Sequence, residues 1–584
     1  MDRFVQTFPP LPDVYADDRM LRATLDRLLG EAGHKEAAPL LEALAAEVCG
    51  ELRAAHRHAE AHPPVLTRYD GWGRRVDRIE VPAGWEAQRA AAARHGLVAL
   101  PYEPRARETF GAGARVVQHA LLHLYGPESA TFSCPVAMSD GAAYLLSQPG
   151  VDADLRNRWL PRLLSREPAT AVTSGQWMTE TGGGSDVSGT ATTARRVADG
   201  SWRLTGEKWF CSAIDGAMAV ALARIEHAPD GGSRLACFLV PRYARDVPGA
   251  PAQHPDAGAP GLVVHRLKDK LGTRALPSAE VGLRDAYAWP VGDPGAPGLR
   301  RMMQLAQVTR LHNAAAAAAG MRRGLQYARN HAAARAAFGR PLDQQPLHRE
   351  TLGWLAVDAD AAFALAALCF TLLGEVETAP QGLATGAADL LRLASSLAKA
   401  ATGKLAVASA SEYVESFGGN GYIEDTGVPR LLRDAQVLPI WEGTTNVLAL
   451  DVVRTLRHGR ALSAYLARID AALDQLPADR SNLSALSGPL RRVREDLAGD
   501  AARAAAGGSA PPDESACIQA AARALTLRMA YLLAAAELIE QATFDAARGD
   551  QRGALVAELW IRRRLLADPA TGEGHRCFPV LLEG

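Results

Sequence analysis

A run of short β-rich segments, enclosed on both sides by long helical ones, is the feature that most limits the folds open to this chain. AVTSGQWM, SWRLTGEKWFCSA, MAVALARI, RLACFLVPR, GLVVHRL and SAEVGLRD are separated by glycine, proline and aspartate breaks and read as strands. Before them, segments 22–31, 37–58 and 85–94 carry apolar residues at helical spacing. After them come GLRRMMQLAQVTRLHNAAAAAAG, LHRETLGWLAVDADAAFALAALCFTLLGEV and LATGAADLLRLASSLAKAATGKLAVASASEYVESFGG, whose lengths suit a helix bundle. A last helical region is broken at SNLSALSG and AAAGGSAPPDES. The expectation is an α+β chain in four parts: an N-terminal helical domain (1–168), a central β-domain (169–296), a helical bundle (297–458) and a C-terminal helical extension (459–584). RDVPGAPAQHPDAGAPG (245–261) reads as an exposed loop. At 584 residues the chain is in any case too long for one hydrophobic core.

Composition narrows the classes of function. A formal net charge of −1 gives no global pull towards nucleic acid or anionic lipid. The opening MDRFVQTFPPLPDVYADD lacks an apolar core of signal-peptide length, so no export signal is expected. No charge-free apolar run reaches the roughly 18 residues of a membrane helix, so no membrane association is expected. The cysteines, Cys49, Cys134, Cys211, Cys237, Cys369, Cys517 and Cys577, form no CxxC pair and are odd in number. That argues against a disulfide framework and for a reducing cytoplasm. No metal site is expected.

Five short stretches carry possible chemistry. In WMTETGGGSDV, three glycines let the backbone approach a ligand, and Thr179 and Ser185 offer hydroxyls. A glycine run by itself is more often a β-turn, and this one is neither a Walker loop nor a dinucleotide fingerprint. GEKWFCSA sets Trp209 and Phe210 beside Ser212, which suits a flat ring and equally suits strand packing. Arg335 in RAAFGRPL has the chemistry to pair with phosphate, or to sit solvated at a helix end. FGGNGY is a flexible glycine turn. In IWEGTTNV, Glu442 follows two bulky apolar residues, a setting that raises a carboxyl towards the range of a general base.

Taken in order and spacing, WMTETGGGSDV, GEKWFCSA, KDKLGTRALPSAEV, RAAFGRPL, FGGNGY and RDAQVLPIWEGTTNV resemble the acyl-CoA dehydrogenase family from about 133 to 454. The resemblance implies the acyl-CoA dehydrogenase fold: a helical domain, a β-barrel-like domain and a helical bundle. It also implies non-covalent FAD, a homotetramer, an acyl-CoA thioester as substrate and an electron-transfer partner. Met178, Thr179, Gly184 and Ser185 fall where the family contacts the flavin edge and pyrophosphate. Lys208 matches the family's lysine, so Phe210 takes the place of the ring packed on the isoalloxazine and Ser212 that of the hydroxyl near flavin N5. Arg335 and Phe338 match the arm that reaches a neighbouring subunit's FAD, whose usual glutamine is displaced here, with Gln344 and the cofactor-binding candidate Gln345 lying nearby; Gly418, Gly419 and Gly421 match the glycine turn near its pyrophosphate. Thr444 and Asn446 match positions touching the FAD phosphate, ribose or adenine. Glu442 falls on the family's usual base. The alternative base position, one before the substrate-binding Arg310, holds Thr309, which cannot serve.

FPPLPDVY, RYDGWGRRVDRIEVPAGW, TFSCPVAMSD, GRPLDQQPLH and the C-terminal extension are further similar to the AidB-like, adaptive-response branch. That branch implies weak dehydrogenation of branched short-chain acyl-CoA and binding of double-stranded DNA. Two readings follow: an FAD-dependent acyl-CoA dehydrogenase, or a DNA-associated flavoprotein with vestigial dehydrogenase chemistry. Gln307 stands where the family often has an aspartate that helps hold CoA. Residues 459–584 have no basic excess, although Arg491, Arg492 and Arg494, then Arg562, Arg563 and Arg564, form local clusters.

Overall fold

The computed structural model describes residues 9–11, 13–226, 234–250, 257–380, 385–476, 482–507, 511–567 and 579–582. Cys577, part of the expected 245–261 loop, and parts of the two C-terminal breaks lie outside the described residues. The chain divides into two compact units: one of 50–103 and 128–312, the other of 1–49, 104–127 and 313–584.

In the first unit, seven strands form one sheet: β1 (Ser174–Trp177), β2 (Thr193–Arg196), β3 (Trp202–Ser212), β4 (Met218–Ile225), β5 (Leu235–Pro241), β6 (Leu262–Leu267) and β7 (Ser278–Pro290). The order is β1-β4-β2-β3-β7-β5, with β6 on β7 and β5 pairing back to β4. Five strands thus close into a ring, which leaves few open edges. The six segments read as strands are all present, and β2 is an additional one. The ring encloses Trp177, Leu204, Phe238, Val264 and Val281, all buried. A second core lies outside it, where Trp159, Met218, Leu239 and Leu305 pack with helix Ser133–Leu146.

One N-terminal expectation is corrected. Within the stretch read as helical, Val65–Tyr69 and Arg75–Glu80 form an antiparallel hairpin. Asp70 makes the turn: its Oδ1 accepts from the backbone N–H of Trp72 and Arg74, both at 2.9 Å, and Gly73 has φ 78°. Leu66 and Ile79 pack onto the sheet core, which supplies the burial that a lone hairpin lacks.

The second unit is helical. Its main helices include the later part of α1 (Gly298–Ala334), α2 (Pro346–Thr378), α3 (Thr385–Ser416) and α4 (Thr445–Leu456). By length and composition α2 could cross a membrane, but 94% of its apolar window is buried, as in a core helix. Small residues bring helices close: Cβ atoms at Gly324 and Gly374 would lie 2.3 Å from Tyr413 and 2.0 Å from the Ala112 carbonyl. Helices Arg460–Asp474, Ser487–Ala506, Pro512–Ala546 and Arg552–Arg564 complete this unit.

Candidate active site

Candidate residues fall into two groups, one in each unit. In the sheet unit, β3 and β7 pair in step from Gly206↔Leu283 to Lys208↔Val281 and resume at Cys211↔Ala279. Three steps on β3 therefore oppose two on β7, a one-residue bulge. Without it, positions 208 and 211 would face opposite sides of the sheet. With it, both are buried and Phe210 is turned out, 56% exposed. Lys268 places its ammonium 3.1 Å from the Trp209 ring centroid and 4.9 Å from that of Phe210. Ser212 Oγ lies 2.9 Å from Ser278 Oγ.

The glycine loop folds onto this bulge. The Thr179 carbonyl accepts from the Trp209 N–H at 2.9 Å, and the Gly183 N–H donates back to the Glu180 carbonyl at 3.0 Å. Gly183 has φ 131°, and a Cβ on Gly184 would meet Thr179 Oγ1 at 2.6 Å, so both positions suit glycine. Met178 and Thr179 are half-buried, and Gly184 and Ser185 are exposed. Beneath the loop, Glu180 accepts from Lys208 Nζ (2.7 Å), Thr192 Oγ1 (2.5 Å), Thr192 N–H (3.1 Å) and Ala191 N–H (2.7 Å). Burial raises the Glu180 carboxyl, but the Lys208 charge and these hydrogen bonds outweigh it and hold the group below the usual range. Thr309 is fully buried and donates to the Ala306 carbonyl at 3.1 Å, so its hydroxyl is already engaged. Arg310 is buried and Gln307 half-buried.

In the helical unit, Arg335 leads into a two-residue hairpin, Ala336–Ala337 paired with Arg340–Pro341. Phe338 (φ 51°) and Gly339 (φ 82°) make the turn, both left-handed as such tight hairpins require. Phe338 is 98% exposed. Gln345 braces the arm: its Nε2 donates to the Ala337 carbonyl at 2.8 Å and its Oε1 accepts from Arg340 Nε at 3.1 Å. Arg335, Gly418 and Gly419 line one cavity of about 560 Å³ with His331, His348 and Phe417. Cβ atoms at Gly418 and Gly419 would meet nothing within 4 Å, whereas one at Gly421 would strike the Val414 carbonyl at 1.9 Å. Gly421 is thus required by packing, while its two neighbours border open space.

Glu442 is half-buried and has φ 60°, a left-handed conformation that costs a non-glycine residue roughly 1–2 kcal/mol. Gly443 follows at φ 107°. Thr444 is the N-cap of α4, its Oγ1 accepting from the Val447 N–H at 3.5 Å. Asn446 is exposed and its Oδ1 accepts from Arg523 at 3.3 Å. One face of α3 holds this segment. Arg392 donates twice to Asp451 (2.9 and 2.6 Å), Ser396 donates to Asp451 (2.9 Å), and Lys399 donates to the Gly443 carbonyl (2.5 Å). A Cβ on Gly403 would lie 3.2 Å from the Leu438 carbonyl, which also accepts from Asn313 Nδ2 at 3.1 Å.

Glu180, Arg392, Ser396, Lys399 and Asp451 were not singled out from the sequence. The 4-3-4 spacing of 392, 396, 399 and 403 places them on one helix face, and that spacing was the available signal.

Comparison with known proteins gives three family matches. These are the AidB adaptive-response N-terminal domain over 10–168, the acyl-CoA dehydrogenase middle domain over 175–286 and its C-terminal domain over 296–457. The chain is 38% identical to acyl-CoA dehydrogenase family member 11 of Caenorhabditis elegans, covering 82% of this chain and 76% of that one. It is 35% identical to AidB of Escherichia coli (strain K12), covering 68% and 70% respectively. The crystal structure of C. elegans ACDH-11 in complex with C11-CoA superimposes with a TM-score of 0.87, at 35% identity, over 96% of this chain and 92% of that one.

Proposed function

We propose that this chain, which belongs to the acyl-CoA dehydrogenase family and carries the N-terminal domain of its AidB branch, dehydrogenates an acyl-CoA thioester using Glu442 as base. The observation that carries the assignment is Glu442 itself, half-buried and displayed at a left-handed turn held from behind by α3.

The residues present fit FAD. An exposed Phe210 beside the Ser212 and Thr179 hydroxyls matches a flat ring with a polar edge. An exposed arginine and two glycines open to a cavity match a diphosphate. Met178, Thr179, Gly184, Ser185, Phe210 and Ser212 would hold the flavin end. Arg335, Phe338, Gly418 and Gly419 would meet the FAD of a neighbouring copy, and Thr444 and Asn446 would touch the FAD phosphate, ribose or adenine. When bound, FAD supplies the acceptor for a hydride from the substrate β-carbon. The Glu442 carboxylate takes the α-proton, and its backbone N–H donates to the thioester carbonyl as enolate charge develops there. Arg310 helps hold the CoA portion.

Anaerobic absorbance during titration with butyryl-, isovaleryl-, undecanoyl- and palmitoyl-CoA tests this reading. At least one should bleach the flavin. Glu442→Gln should retain FAD and slow that reduction by roughly 10²–10⁴. Undiminished reduction in the variant would remove Glu442 as base.

The finer expectations belong to the same proposal. They are the four-part division at 168, 296 and 458, a homotetramer, an electron-transfer partner and a cytoplasmic setting. Sequence-tolerant binding of double-stranded DNA, which the resemblance to the AidB-like branch implies, belongs to the proposal as well. Against a strong basic stripe, Arg491 pairs with Asp474, Arg494 with Asp470, Arg562 with Glu558 and Arg564 with Asp358. Affinity for DNA that does not weaken with added salt would exclude that mode.

A further inference from the structure

We propose that Lys399 is the positioning residue for Glu442, fixing the direction in which that residue presents its carboxylate and its backbone N–H. The proposal rests on the reading of Glu442 as base. Lys399 lies on α3 with no exposed surface, and its Nζ is 2.5 Å from the Gly443 carbonyl. A buried ammonium is costly unless its protons find acceptors, so a lysine here implies a specific demand for a cationic donor at this point. The acceptor is the carbonyl of Gly443, in the 443–444 peptide, one residue beyond the left-handed Glu442.

The neighbouring contacts give the same direction. Along α3, Arg392 and Ser396 bond Asp451 and Lys399 bonds Gly443, while Gly403, lacking a side chain, lets the Leu438 carbonyl come close, so the helix runs antiparallel to the segment. The upper contacts fix helix α4, and at the lower end Asn313 Nδ2 holds the Leu438 carbonyl. The Lys399 contact lies between them, where backbone torsions depart from helix. With the 443–444 peptide anchored at its carbonyl and continuing into helix α4, Gly443 has fewer conformations through which the Glu442 backbone can swing, and the Glu442 side chain is held near one direction before substrate arrives. This is preorganisation by a hydrogen bond one residue away from the reacting group.

Full-length Lys399→Met and Lys399→Arg, each loaded with FAD, test the role. The readouts are FAD content, dissociation constant for the acyl-CoA that reduces wild type fastest, and the anaerobic reduction rate. Lys399→Met should reduce roughly 10–100-fold more slowly, with FAD content and acyl-CoA affinity within about twofold of wild type. Lys399→Arg, which keeps a cationic donor, should recover about tenfold of that loss. A Met variant reducing at the wild-type rate overturns the proposal. So does a rate loss matched by equal losses of FAD and acyl-CoA binding with no recovery in Arg, which marks a merely structural lysine. If the Met chain does not fold, Lys399→Gln, an uncharged donor, carries the same comparison. Glu442→Gln in parallel separates the two readings: normal reduction there removes the base and this role with it, whereas slow Glu442→Gln with normal Lys399→Met removes only the positioning role.

Discussion

Lys208 sits with its side chain fully buried and its Nζ 2.7 Å from Glu180 Oε1, joining strand β3 to the floor of the glycine loop. Removing one partner of a buried ion pair costs about 3–5 kcal/mol. Lys208→Met should therefore lower unfolding free energy by that order and speed FAD loss. The double change Lys208→Met with Glu180→Met should restore stability without restoring FAD retention. The Glu180 pKa is depressed, so its stabilisation is present above the ordinary carboxylate range and is lost as pH falls through it. Denaturant titrations at neutral and acid pH check both statements. An equally acid-sensitive double variant would assign that sensitivity to other groups.

His331 should give a second, milder pH dependence. Burial, then the charges of His348 and Arg335, lower it to about 4 from the ordinary 6.5. The folded chain thus refuses a proton that the unfolded chain accepts. Stability should fall as pH drops from about 6.5 towards about 4 and then level off. His331→Phe keeps a ring on Phe417, against which His331 stacks at 4.4 Å and 15°. Melting temperatures across this range should slope less in the variant, and identical slopes would contradict the assignment.

The glycine turn separates fold from ligand. Gly421→Ala would drive a methyl into the Val414 carbonyl and should destabilise by about 1–3 kcal/mol or more. Gly419→Ala meets nothing within 4 Å, so melting should barely change while FAD affinity falls. Thermal denaturation and flavin release, measured on the same samples, distinguish the two. Unchanged FAD affinity in Gly419→Ala would take that glycine out of the cofactor site.

The β-core was legible because buried strands such as MAVALARI and RLACFLVPR announce themselves by apolar content and by the breaks around them. The hairpin at 65–80 was not. Its strands are rich in arginine and polar residues, and their pairing depends on the Asp70 turn and on a sheet core distant in sequence. Motif order singles out Glu442, but its left-handed backbone was not legible, since no local sequence rule places a glutamate there. Lys399 was hidden for a related reason. A buried lysine on an alanine-rich helix looks like a surface residue until its acceptor, 44 positions away, is known.

Phe338 stands almost wholly in solvent, yet the hairpin that carries it is finished: Gln345 ties both strands, and the Leu342 N–H closes onto the Arg335 carbonyl at 2.8 Å. Such an arm has little disorder left to lose on contact, so association need not wait for it to fold. It cannot readily reshape itself either. In the oligomer proposed above it would therefore work as a gauge, admitting surfaces cut to its profile and rejecting near misses by rigidity.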